Sequence, residues 1–211
     1  DSYINEEDCA PTDPMMALDE DGDGVCDEIC QGDYIVTNQA ELDELDHCIE
    51  ITGNLDIHNS DIINVDPLFE LRLIGGDFTI EGNISLLDIH ALHTLTIIGG
   101  DLLIIENNVL LSLEGLDNLL SIGGELIISN NDSIIHIDAL VLLTSISLDL
   151  QITLNKSLQQ INGLEGILSI GGTLEISDND VLINIDGLEN VTNIGSSIVI
   201  NNNDNLIDID G

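Results

Sequence analysis

One interval, 24 residues, organises most of this chain. Gly-Gly pairs stand at Gly75-Gly76, Gly99-Gly100, Gly123-Gly124 and Gly171-Gly172, spaced by 24 residues or a multiple of it. Isoleucines precede them at the same interval, at Ile74, Ile98, Ile122, Ile146, Ile170 and Ile194. Six residues after each comes another, at Ile80, Ile104, Ile128, Ile152, Ile176 and Ile200. Between them runs the column Phe78, Leu102, Leu126, Leu150, Leu174 and Ile198. A fixed period of this length means stacked copies of one small unit. Alternation such as Leu102-x-Ile104 sends two side chains to one face of a strand, and no segment carries a sustained helical stripe. An earlier turn, from Ile51 through Gly53, Leu55 and Ile57, fits one residue short. The expected fold is mainly β, a parallel β-solenoid of about seven 24-residue turns stacked about 4.8 Å apart.

Further columns complete the core. Leu86, Leu110, Ile134, Leu158, Leu182 and Leu206 recur, as do Ile89, Leu113, Ile137, Ile161, Ile185 and Ile209. Aromatic residues make up only 2% of the chain and Trp is absent, so the core must be built from Ile, Leu and Val. One polar column is invariant: Asn83, Asn107, Asn131, Asn155, Asn179 and Asn203. Stacked at a coil corner, such amides can bond backbone groups of neighbouring turns and form a ladder. Asn83, Asn131 and Asn155 also match the glycosylation acceptor pattern, but the column persists where that pattern is missing.

Charge excludes some partners. The chain has 2 Lys and Arg against 41 Asp and Glu, a formal charge of −39. A phosphate backbone or an anionic membrane surface would be repelled, so no nucleic acid is expected. The 43% hydrophobic content separates the chain from acidic disordered tails. No apolar run approaches the roughly 18 residues of a membrane span, so no transmembrane segment is expected. Asp77, Asp101, Glu125 and Asp149 share one column; Glu114, Asp138, Asp186 and Asp210 share another. These columns are read as a solvated surface, with divalent cations along the ladder as the alternative. Leu103, Ile105 and Ile127 fall at outward strand positions and form a candidate partner surface. Irregular coil geometry could instead turn them inward.

All four cysteines, Cys9, Cys26, Cys30 and Cys48, lie in the first quarter of the chain. An even count at one end reads as a disulfide-stapled cap and an oxidising, extracytoplasmic setting. Asn38 with Glu41 three residues on suggests a capping box opening a short helix that ends near His47. The string from Cys30 through this helix to Cys48, then Gly53-Asn54-Leu55-x-Ile57, resembles the start of receptor L domains. The resemblance covers roughly residues 30–211 and is closest to a bacterial surface version of the repeat. It implies that Cys30 bonds Cys48 and that the helix plugs the open end of the solenoid. Cys9 and Cys26 then remain as the second pair.

Asp19-Glu20-Asp21-Gly22-Asp23-Gly24-Val25-Cys26-Asp27 is the most chemically specific string. Alternating carboxylates on a tight Gly-bearing loop supply hard oxygen ligands for calcium (Ca2+). The ligand set is Asp19, Asp21, Asp23 and the Val25 carbonyl, with Asp27 or Glu28 completing it. The loop resembles those of thrombospondin type 3 repeats, but their last acidic position falls here on Cys30. Residues 1–29 are read as a calcium-binding, disulfide-linked segment, and residues 30–211 as the solenoid.

His47, His58, His90, His93 and His136 are read as solvated or locally paired, because they do not stack in register. Two basic residues, two Tyr and two Phe leave little material for a polysaccharide-cleaving site. The expected function is a non-catalytic binding or adhesion module, secreted or at a bacterial cell surface. Its partner would be a protein or glycan. The alternative is a self-assembling subunit of an extracellular filament or coat that binds further copies of itself, an expectation supported by the last turn, for which no covering cap is visible. A carbohydrate-active enzyme is a third reading.

Overall fold

The computed structural model describes residues 28–58 and 62–209. It is a parallel β-solenoid. Two parallel sheets of eight strands each run along it, and consecutive turns add one strand to each sheet. One turn shows the plan. The short strand Ser121–Ile122 leads through Gly123-Gly124 into the longer strand Leu126–Ser129. The chain then passes a left-handed residue, Asn130 at φ 57°, and reaches Asn131. A 3-10 helix, Asp138–Leu140, returns it to the next short strand, Ser145–Ile146.

The register matches the sequence period. Leu126 pairs with Leu102 on one side and Leu150 on the other; Ile128 pairs with Ile104 and Ile152. Like therefore sits on like, and one branched side chain packs against its copy. The inward columns are buried, from Ile57 and Ile80 to Ile152 and Ile176, with Phe78 the largest side chain in the core.

Asn38 caps the helix Gln39–Asp43 by accepting from the Glu41 N–H at 3.1 Å. The reciprocal bond goes to Thr37, whose N–H donates to Glu41 Oε2 at 2.7 Å, and this holds the Glu41 carboxyl below its ordinary value. The helix stops at Asp43, earlier than expected. Asp43, Glu44 and Asp46 oppose the negative end of the helix dipole. Successive turns, Leu45 N–H to Leu42 and Cys48 N–H to Leu45, then draw both residues into the core. Leu42 and Leu45 are buried, so the helix covers the first coil as expected. Cys30 and Cys48 form a disulfide with Cα atoms 5.7 Å apart, closing a loop of sequence separation 18. A loop of that size contributes about 3 kcal/mol in the chain-entropy account. The entry segment is itself part of the coil. Glu28–Cys30 pairs with the strand Cys48–Ile51, and Tyr34–Val36 with Leu55–His58. The solenoid boundary expected at residue 30 thus falls inside a strand.

The asparagine ladder forms. Asn131 Oδ1 accepts from the Asn107 N–H at 3.0 Å, and its Nδ2 donates to the Ile104 carbonyl at 2.8 Å. The same pair of bonds links Asn83 to Asn107, Asn131 to Asn155 and Asn155 to Asn179. Asn83, Asn131 and Asn155 are fully buried, which rules them out as glycosylation sites in the folded chain.

The acidic column at the Gly-Gly corner has a structural use. Asp77 Oδ1 accepts from the Asp101 N–H at 2.9 Å, Asp101 from Glu125 at 2.7 Å, and Asp149 from Thr173 at 2.6 Å. Asn54 does the same for Asp77 at 2.8 Å. This second ladder explains the paired glycines. A Cβ on Gly99 would overlap the Gly75 carbonyl, and one on Gly124 would overlap the Asp101 carboxylate. Where the column holds Glu125 or Thr173 instead of a short Asp or Asn, the next turn carries Leu148 or Ser196 in place of the second glycine. Burial, and then the neighbouring Asp101 and Asp149, push the Glu125 carboxyl above its ordinary value. Its ionisation therefore lowers stability as pH rises beyond 4.5.

Two measurements test this account. Asn131→Ala orphans the Asn107 N–H and the Ile104 carbonyl and is expected to destabilise by about 1–3 kcal/mol in urea melts. An unchanged midpoint would refute the ladder. Glu125→Asp with Leu148→Gly restores the missing rung, so the pair is expected to be more stable than the sum of the single changes by about 1 kcal/mol. Additive single effects would show that aspartate and glycine are not coupled across the turns.

Candidate functional site

Alternation that buries Leu86 must turn Leu87 outward, and the chain repeats this doublet. Leu86-Leu87, Leu110-Leu111, Ile134-Ile135, Leu182-Ile183 and Leu206-Ile207 each pair an inward residue, buried in all but Leu206, with an outward one. The outward members, with Ile63, form a row along the solenoid, 43% to 84% exposed. Gln159 interrupts it once. Backbone bonds join Leu87 to Leu111 and run from Ile135 to Ile207: Leu111 N–H to Leu87 at 3.1 Å, Gln159 to Ile135 at 2.8 Å, Ile183 to Gln159 at 3.2 Å and Ile207 to Ile183 at 3.1 Å. Towards its C-terminal half lies a shallow groove of about 540 Å3, lined by Ile135, Gln159, Val181, Ile183, Ile207 and Lys156 among others. Six aliphatic side chains in one row make a patch comparable to the largest on ordinary monomers, which cover roughly 300–600 Å² and are often functional.

Acidic residues border this stripe. Asp66, Glu114, Asp138 and Asp186 are exposed three residues after stripe members, and Asp180 and Asp204 three residues before. Lys156 is the one cation in the border, and its Nζ is 2.8 Å from Asp132 Oδ2. His90 stands between Asp88 at 3.0 Å and Glu114 at 2.8 Å. The Asp88 hydrogen bond raises the His90 pKa; burial opposes it, and Glu114 adds a further upward push. His58 Nδ1 bonds Asp56 at 3.0 Å, so this histidine is locally paired, whereas His136 Nδ1 lies 3.3 Å from Asp138 without a hydrogen bond to it.

Sequence reasoning missed the stripe because it followed the inward member of each doublet. The signal was present: the residue after each buried Leu or Ile of that column is itself aliphatic in all but one of the turns from Leu86 to Leu206. The patch that was expected is smaller. Leu103, Ile105 and Ile127 do face outward and are half-buried. Leu103 pairs with Ile127, but Thr79, Glu81 and Ser129 enclose them in register.

The expected calcium ligands Asp19, Asp21, Asp23, Val25 and Asp27 lie outside the described residues, as do Cys9, Cys26 and Asp210. Glu28 opens the first strand. Among the described residues one group has metal-ligand chemistry: His47 Nε2 approaches the Cys30 sulfur at 3.9 Å, beside Cys48. With the two sulfurs bonded to each other, neither is a free thiolate, so the group is a disulfide with a histidine against it. No helix among the described residues is long and apolar enough to cross a membrane.

A pH test follows from His90. Its raised pKa means that its pairing with Asp88 and Glu114 contributes in full below 6.5. The contribution is lost as pH rises through the raised value. His90→Gln is therefore expected to lower the melting temperature more at pH 5.5 than at pH 8.5, and an equal difference at both would refute the pairing. Compared with family models, with curated proteins and with solved structures, the chain matches none of them.

Proposed function

We propose that this chain is a non-catalytic binding or adhesion module, secreted or at a bacterial cell surface. The exposed aliphatic stripe carries this reading. A rigid β-solenoid that keeps a row of Leu and Ile in water, inside a heavily acidic border, holds a surface suited to contact. The Cys30–Cys48 disulfide fits an oxidising setting. The resemblance to receptor L domains supports the same class. So does the Asp19–Asp27 loop, for which calcium held by Asp19, Asp21, Asp23, the Val25 carbonyl and Asp27 or Glu28 would order a segment too polar to order itself by burial. The scarcity of cationic and aromatic residues weighs against the carbohydrate-active enzyme. The charge of −39 weighs against stacking of like chains into a filament.

The test uses the whole chain on beads, presented to intact bacterial or host cells and to glycan-coated surfaces. Retention by the native chain, lost in the Leu111→Ser/Ile135→Ser variant with an unchanged circular dichroism spectrum, is the expected outcome. Equal retention by both, or by neither, would overturn the reading.

A further inference from the structure

The chemistry of the stripe narrows its partner, on the reading that the chain is a binding module. Its members repeat once per turn of the solenoid, whose parallel sheets set the spacing between turns at about 4.8 Å. From Ile63 to Ile207 the row therefore extends about 29 Å. An extended peptide lying along it would offer same-face side chains only every 6.6–6.8 Å or so. An α-helix offers one side chain per turn at about 5.4 Å, and about 20 helical residues span 30 Å. The helix is the closer match in spacing, and about 20 helical residues cover the row.

Charge sets the rest. Asp66, Glu114, Asp138 and Asp186 follow stripe members by three residues along most of its length; of the positions three residues before, Asp180 and Asp204 are exposed acids at the C-terminal end, Asp132 pairs with Lys156, and Ile84 and Asn108 carry no charge. A second copy of this chain would bring another −39 to that border. The segment 1–27 contains no Lys or Arg and is equally unsuited. The complementary ligand has one narrow apolar face with Lys or Arg along one flank and, over the C-terminal end of the stripe, on the other flank as well.

We infer that the stripe running from Ile63 to Ile207 docks a cationic amphipathic α-helix of another protein, about five turns long, parallel or antiparallel to the solenoid axis. Leu87, Leu111 and Ile135 receive its apolar row, and Ile183 and Ile207 receive the far end. Gln159, beside Lys156, marks the turn at which the helix carries a polar rather than a basic residue. The attraction to the acidic border makes the contact salt-sensitive, while the aliphatic row distinguishes it from capture of any polycation.

The probes are three synthetic 18-residue peptides, titrated by fluorescence anisotropy against the full chain at 0.15 M salt. One is an amphipathic helix with Leu on one face and Lys on its flanks; one is a scramble of the same composition; one carries Glu in place of Lys. The first is expected to bind at least tenfold more tightly than the scramble, and the acidic peptide not to bind. Leu111→Ser/Ile135→Ser is expected to weaken the first at least tenfold, with the circular dichroism spectrum unchanged. Equal binding of scramble and helix would reduce the surface to a general polycation trap and overturn the inference. So would an undiminished affinity in the variant, or no binding of the first peptide. Sedimentation showing a dimer that the variant abolishes would place a second copy on the stripe and would also overturn it. Cell retention that depends on Leu111 and Ile135 without helix binding would sink this inference alone. Helix binding without any cell or glycan retention would sink the adhesion reading alone.

Discussion

Hydrogen bonds from side chain to backbone between neighbouring turns are what the solenoid depends on. A parallel coil with corners leaves N–H and C=O groups that no strand can reach, and buried groups of this kind are costly when unpaired. Asparagine solves the problem at one corner. A short carboxylate or amide solves it at the other. The aliphatic core supplies most of the burial energy, but stacked Leu and Ile would tolerate slippage. The ladders fix the register, because an amide at the wrong height bonds nothing.

The same bonds account for the composition of the corners. Aspartate at one turn excludes a Cβ at the next, so Asp101 and Gly124 belong to one device. Acidity at that corner is thus partly architectural, and it needs no cation to explain it. Tolerated exceptions cluster elsewhere. Leu154 occupies the left-handed position that Gly82, Asn130 and Asp178 hold in other turns, at φ 60°. A branched hydrocarbon there costs about 1–2 kcal/mol.

The architecture was legible because the period was exact in residues such as Ile104, Ile128 and Ile152, and a repeat leaves few ways to stack. The Asn131 ladder was legible for the same reason. Finer features were not. The helix end at Asp43 depended on a competition between dipole and burial that spacing alone does not reveal. The role of Asp101 required the distance to the next turn. Leu87 and Leu111 were visible as letters, but alternation was used to find the core and not to ask what its other phase displayed. Leu103, Ile105 and Ile127 lie on the outward phase of their strands, half-buried and flanked by Thr79, Glu81 and Ser129.

The two ladders point in opposite directions along the chain. Each asparagine serves the turn before it, since Asn131 completes Asn107 and Ile104. Each aspartate serves the turn after it, since Asp101 completes Glu125. A junction with both is clasped from either side; a junction after Glu125 or Thr173 is clasped from one. Those two junctions are seams. A chain pulled along its axis would open at a seam before it opened elsewhere. The segment between the seams would detach as a block with its own ladders intact, so the spacing of the substitutions, more than the strength of any turn, sets how the solenoid yields.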